Sequence, residues 1–202
     1  MPEVLGPHPA SEKRPSVWIF GYGSLIWNTG FSYDESRKAI VRGYSLRMYQ
    51  GNTFHRGDAA LPGRVATLIN DKQSYACGLI FRVTGIAKIK AALKHLYERE
   101  VLNGYEFTAV HVEQVTSKGA NNDETTQIMA LTCIANADNE FYLGPGPLNV
   151  IGEQIALARG RAGPNSDYLF KLIDEIRVLF PNYSDNHIFA LEHFVLQRRQ
   201  RT

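Results

Sequence analysis

Val17-Trp18-Ile19-Phe20-Gly21-Tyr22-Gly23-Ser24-Leu25-Ile26-Trp27 opens with an apolar run and then breaks it with two glycines and a serine. The run at 17–20 reads as a buried strand, and the break as a turn leaving it. Glycine at 21 and 23 permits positive φ and lets another molecule approach the backbone with no Cβ in the way. Consecutive free N–H groups in such a turn form a concavity suited to an anion, so the expected guest is a carboxylate or phosphate. A tight β-turn with no ligand is the other reading. Nucleotide motifs do not fit. Gly21-x-Gly23-x-x-Ile26 lacks the third glycine of the dinucleotide fingerprint, and the chain has no Gly-Lys-Ser/Thr of a Walker A loop. Ser24 is not framed as the Gly-x-Ser-x-Gly elbow of a serine hydrolase.

The 202 residues are 44% hydrophobic, enough for one sizeable core, and a single domain over 17–202 is expected. Lys and Arg total 22 against 20 Asp and Glu. With no block of like charge, neither nucleic acid nor an anionic membrane is an expected partner. The short basic run at Arg198-Arg199-Gln200-Arg201 suits the C-terminal end of a helix. Cys77 and Cys133 stand far apart with no Cys-x-x-Cys, which argues against a disulfide framework or zinc site and for a reducing cytoplasmic setting. The 6 histidines show no metal-ligand spacing, so no metal is expected. Residues 1–16 have no apolar stretch of signal-peptide type and read as a mobile tail. No segment is long enough to span a bilayer.

Strands are expected at 17–22 and 39–50. Segments 64–69 and 75–83 are expected to pair as a hairpin across Asn70-Asp71-Lys72-Gln73. Segments 105–115 and 126–134 are expected to form another, across a polar loop at 117–125. One amphipathic helix begins at Ile86. Three more are expected at 148–159 after Pro147, at 167–180 with Asn165 or Ser166 as N-cap, and at 185–199 after Ser184. Hairpins followed by helices argue for an α+β fold, its sheet curled or closed and its helices packed outside.

The helix after Val83 carries Ile86, Ile89, Leu93, Leu96 and Tyr97 on one stripe. A rotation of about 100° per residue returns Glu100 to that stripe and puts Glu98 and Arg99 well away from it. An ionised carboxylate is seldom buried without a reason. Either the helix frays first and Glu100 lies on the surface, or it points inward as a base whose pKa is raised by desolvation. Such a base suits a substrate that carries its own amine nucleophile.

Other polar candidates cluster after the second strand, in Gln50-Gly51-Asn52-Thr53-Phe54-His55-Arg56-Gly57 and Pro62-Gly63-Arg64. Arg56 or Arg64 would either clamp a carboxylate or satisfy loop carbonyls. Tyr142-Leu143-Gly144-Pro145-Gly146-Pro147 reads as a rigid lead into the next helix. Tyr168 opens a helix with Leu169, Leu172, Ile176 and Leu179 on its apolar face, and is either core or a ligand contact.

Taken in order, the glycine–serine loop, Gln50-Gly51 with His55-Arg56-Gly57, Pro62-Gly63-Arg64-Val65, Arg99-Glu100 with Gly104-Tyr105, Tyr142-Leu143-Gly144-Pro145 and Asn165 with Tyr168-Leu169-Phe170 resemble the ChaC-type γ-glutamylcyclotransferases. The resemblance implies a small mixed β-barrel with flanking helices, the γ-glutamylcyclotransferase-like fold. It implies release of 5-oxoproline and cysteinylglycine from glutathione without metal or organic cofactor. Glu100 would be the proton acceptor, and Gly21, Tyr22, Gly23, Ser24, Leu25 and Ile26 would hold the γ-glutamyl moiety. Tyr168 would line the pocket, and Arg56 and Arg64 belong to the shared motif. The same parts would serve a cyclotransferase for other γ-glutamyl amino acids or amines. A weakly catalytic protein-binding regulator is the reading from another class.

Overall fold

The computed structural model describes residues 14–115 and 126–200. Five strands, β1 (Ser16–Gly21), β2 (Glu35–Asn52), β3 (Gly63–Thr84), β4 (Glu106–Gln114) and β5 (Gln127–Ile134), close into a barrel in the order β1-β3-β2-β4-β5. Neighbours pair antiparallel except β5 and β1, which close the barrel in parallel through Leu131 and Ile19. Helices α1 (Ile86–Arg99), α2 (Leu148–Leu157), α3 (Asn165–Leu179) and α4 (Asn186–Arg199) flank it. This is the α+β class and mixed barrel expected from the sequence. No helix among the described residues is long and apolar enough to cross a membrane.

β1 explains its unbroken apolar run. Phe20 faces a cluster containing Leu46, Met48, Leu68 and Ile80 with Ile151, Ile155, Leu169, Leu172 and Leu191 of the C-terminal helices. Ile19, on the other face, packs beneath α1 with Leu25, Ala92, Leu96 and Tyr105. A strand buried on both faces shows no alternation. Each fully buried Leu or Ile contributes about 1.5–3 kcal/mol, so the helices are held chiefly by these contacts.

Three expectations are corrected. Residues 64–69 and 75–83 are not a hairpin: β3 runs through both and pairs with β2 along its length. Between Tyr44 opposite Asn70 and Arg42 opposite Tyr75 the register shifts, and residues 71–74 bulge opposite Gly43, whose φ is +80°. Asp71 closes the bulge, accepting from Ser45 Oγ at 2.5 Å, Ser74 Oγ at 2.7 Å and Gln73 N at 3.3 Å. Turn-forming residues suit a bulge as well as a reversal.

The buried line of α1 is also rotated from its expected place. Ala92 and Leu96 are buried, whereas Ile86 is 62% and Tyr97 50% exposed. The third correction is at α3, where Asn165 is the first helical residue and its side chain does not cap. The expected polar loop at 117–125 and the first 13 residues lie outside the described chain. Of the expected tail, Pro15 already accepts a hydrogen bond from Gly85 N at 2.8 Å and Ser16 opens β1.

Candidate active site

Beyond β1 the chain makes a 3₁₀ turn, Gly23–Ile26. Gly23 takes φ +58°, and a Cβ there would stand 2.9 Å from the Tyr168 hydroxyl oxygen. Glycine is therefore required twice over at this position. Gly21 differs. Its φ is not positive, and its missing Cβ makes room for Leu25 Cβ at 2.8 Å and the Phe81 ring at 2.9 Å. The first N–H groups of such a turn, those of Gly23 and Ser24, have no acceptor within it. Leu25 N bonds instead to Tyr22 O at 3.3 Å, so its N–H is not free in the way the sequence suggested. Ile26 is buried in the core cluster.

Glu100 caps the C-terminus of α1. Its N–H donates to Leu96 O at 2.8 Å, and its carbonyl accepts from Asn103 N at 2.9 Å and Tyr105 N at 3.2 Å. The backbone under the carboxylate is thus held on three sides. The side chain is only 16% exposed. Burial pushes its pKa above the ordinary carboxylate value, while the positive charge of Arg99 opposes the rise.

The helical phase of the stripe from Ile86 to Tyr97 puts Arg99 well off it. Arg99 lies at the site. With the buried line running through Ala92 and Leu96, positions 99 and 100 both come next on it. The Arg99 guanidinium donates from Nη2 to Ser24 Oγ at 2.6 Å and from Nη1 to Asn28 O, and its Nε is 3.0 Å from Glu100 Oε1. One side chain ties the glycine–serine turn to the buried acid. The sequence signal was available in its adjacency to Glu100, but the length of an arginine hides where its head lands.

These groups line a cleft of about 550 Å³ with Trp27, Asn52, His55, Arg56, Asn103, Tyr105 and Tyr168. That volume falls in the range usual for small-molecule sites. A recess of about 20 Å³, room for one water-sized group, shares Ser24, Glu100, Tyr105 and Tyr168 with the cleft and adds Tyr22, Gly23, Leu25 and Cys133. Three phenols surround it. Burial drives Tyr22 and Tyr105 far up and Tyr168 to about 12, so all stay protonated. Tyr22 donates to Cys133 O at 2.5 Å and Tyr105 to Ala66 O at 2.7 Å. The Tyr168 oxygen accepts from Ala66 N at 3.2 Å, which leaves its own proton for a ligand.

Of the two arginines, Arg64 takes the structural alternative. It is 7% exposed and lines neither cavity, giving Nε to Gln154 Oε1 at 2.7 Å and Nη1 to Met48 O and Gly144 O at 3.1 and 2.9 Å. Arg56 lines the cleft, with its guanidinium carbon 5.9 Å from the centre of the Tyr168 ring. Among the described residues no group of three or more His, Cys, Asp or Glu side chains stands together to hold a metal ion.

The family model described as ChaC-like protein matches residues 17–198. Glutathione-specific gamma-glutamylcyclotransferase 1 of Mus musculus is 40% identical over 199 residues, covering 94% of this chain and 86% of the mouse protein. The Homo sapiens protein of the same name is 41% identical over 192 residues, covering 94% and 83%. A crystal structure of the yeast γ-glutamyl cyclotransferase specific to glutathione superposes with a TM-score of 0.82 at 25% identity, over 93% of this chain and 98% of that one. The chain belongs to the ChaC-like family.

Proposed function

We propose that this protein is a cytoplasmic glutathione-specific γ-glutamylcyclotransferase, cleaving glutathione into 5-oxoproline and cysteinylglycine. The relatives supply the reaction class. The observation that carries the mechanism is the buried Glu100 carboxylate tied through Arg99 to the Gly23–Ser24 turn.

The substrate's α-carboxylate docks on the N–H groups of Gly23 and Ser24, and its α-ammonium faces Glu100. Glu100 takes a proton from that ammonium. An α-ammonium has a pKa near 8, so every unit by which burial raises Glu100 removes about 1.4 kcal/mol from the uphill transfer. The freed amine attacks the γ-carbonyl carbon and closes a five-membered lactam, with the Tyr168 O–H available to the oxygen as it gains charge. The bond from the γ-carbon to the cysteinyl nitrogen then breaks as Glu100 returns its proton to that nitrogen; the ring nitrogen's second proton passes by the same carboxylate to the departing amine, so the products are a neutral lactam and an ammonium. No acyl-enzyme forms. Nucleophile and electrophile belong to one molecule, so most of the work is holding the γ-glutamyl chain in an attack geometry.

Glu100→Gln tests the reading. It should reduce 5-oxoproline release from glutathione, followed by mass spectrometry, by about 10²–10⁴-fold, the usual worth of a positioned acid–base group. Turnover near wild type in a folded variant would remove Glu100 from the reaction.

A further inference from the structure

We propose that the outer part of the cleft is a second anion site, in which Arg56, flanked by His55, receives the C-terminal carboxylate of a γ-glutamyl peptide's leaving group. The assignment rests on the reading of Glu100 and the Gly23–Ser24 turn, at the inner end of the cleft, as the place of the γ-glutamyl head.

Arg56 and His55 line the cleft but not the recess. They therefore face whatever extends from the reacting end. Their loop is held rather than loose. Asn52 Oδ1 accepts from His55 N at 2.7 Å and Arg56 N at 2.8 Å, and Ala162 N donates to His55 O at 2.9 Å. A Cβ on Gly160 would meet the His55 carbonyl carbon at 2.4 Å and Arg56 N at 2.5 Å, so the chain around Gly160 lies directly against this loop.

The donors differ between the two arginines of the cleft. Arg99 has every nitrogen engaged, with Ser24, Asn28 and Glu100. Arg56 uses Nη1 alone, donating to Ala162 O at 2.9 Å and Pro164 O at 3.2 Å. Its Nε and Nη2 make no hydrogen bond, and it forms no ion pair, among the described residues. The acids lining the cleft are Glu98 and Glu100, and they face Lys94 and Arg99 respectively. A fixed cation without a counter-ion, with donors left on one edge, fits a carboxylate. His55 reports the same field. Its imidazole is held below its ordinary pKa, first by burial and then by the charges of Arg99 and Arg56.

A γ-glutamyl head offers one ammonium and one carboxylate, both used at Glu100 and the Gly23–Ser24 turn. What remains on glutathione is the glycine carboxylate, which γ-glutamylamines lack. Arg56 is thus a specificity-determining residue that selects γ-glutamyl peptides with a free C-terminus.

Calorimetric titration of the Glu100→Gln protein, chosen to slow turnover during the measurement, compares glutathione with its C-terminal glycinamide analogue. The amide should bind about tenfold or more weakly, the loss of a hydrogen bond to a charged group. Adding Arg56→Gln should weaken glutathione by a similar factor and leave the amide unchanged. Equal affinities of acid and amide, including none for either, overturn the proposal, as does an undiminished preference in the Arg56→Gln protein. The comparison of the two ligands needs no change at Arg56, so it stands even where that variant fails to fold. A wild-type protein that prefers the acid yet releases no 5-oxoproline would sink the proposed reaction and leave this site intact.

Discussion

Burial and a neighbouring cation pull the Glu100 carboxyl in opposite directions, and their balance sets its strength as a base. Arg99→Gln removes the cation and leaves the burial. The Glu100 pKa should then rise further, moving the acid limb of the kcat/KM profile to higher pH. Arg99→Lys, which keeps the charge but not the guanidinium fork, should restore part of the shift. A limb that does not move in a pH–rate series would make Arg99 only a tie to Ser24. The same balance has a thermodynamic side. A carboxyl whose folded-state pKa exceeds the unfolded value of about 4.5 leaves stability untouched below that pH and costs it as pH rises through the folded value. At pH 7 the Glu100→Gln protein should therefore melt no lower than wild type. Loss of activity with undiminished stability separates a functional acid from a structural one.

At the scale of elements, the site depends on how α3 is fastened to β3. Asn165, fully buried, accepts from Arg64 N at 2.7 Å and donates to Arg64 O at 2.8 Å, as a neighbouring strand would. Three residues further along α3 is Tyr168. Asn165→Ala leaves a buried N–H and a buried carbonyl unpaired, at about 1–3 kcal/mol each. The melting temperature should fall by on the order of 10 °C, with a loss in kcat/KM as Tyr168 shifts. An unchanged melting curve would refute the fastening. The sequence marked Asn165 as a cap because Asn at a helix start usually caps, and nothing local says that its amide reaches a strand about 100 residues away. Similar limits explain the other misreadings. Residues 70–73 have turn chemistry whether they reverse the chain or bulge from it. Helical phase placed Glu100 correctly from an apolar stripe that was itself misplaced, because Ala92 was not counted among the core residues. β1, β4, β5 and the C-terminal helices were legible because their apolar residues form an unbroken run or recur at strand or helix spacing. Arg64 and Arg99 were not legible because a long side chain separates its charge from its Cα by several ångströms.

Across the whole molecule, the barrel and its last helix meet at a titratable hydrogen bond. The register shift between Arg47 and Gln50 of β2 takes Met48 out of the ladder. Its N–H donates to Nε2 of His187 on α4 at 3.2 Å, and its carbonyl accepts from Arg64 Nη1. His187 must be neutral at Nε2 to accept, and Asp185 holds its backbone N–H at the helix start at 2.8 Å. Burial, aided by Arg47, lowers its pKa from 6.5 to about 4 although Asp185 pulls the other way. A depressed folded-state pKa contributes stability that is complete above the unfolded value and is lost as pH falls toward the folded one. The window is therefore about pH 6.5 down to 4, and the full loss is on the order of 3 kcal/mol. Glu100 has the opposite sign in part of that window, so wild-type data alone would mix the two. His187→Gln separates them: glutamine keeps an acceptor for Met48 N, does not titrate, and leaves Glu100 as it is. Denaturant unfolding from pH 7 to pH 4 should show the wild type losing stability more steeply than His187→Gln, with the gap opening below pH 6.5. Parallel curves would mean that the acid-sensitive proton binds elsewhere and that α4 is held to the barrel by its apolar face alone.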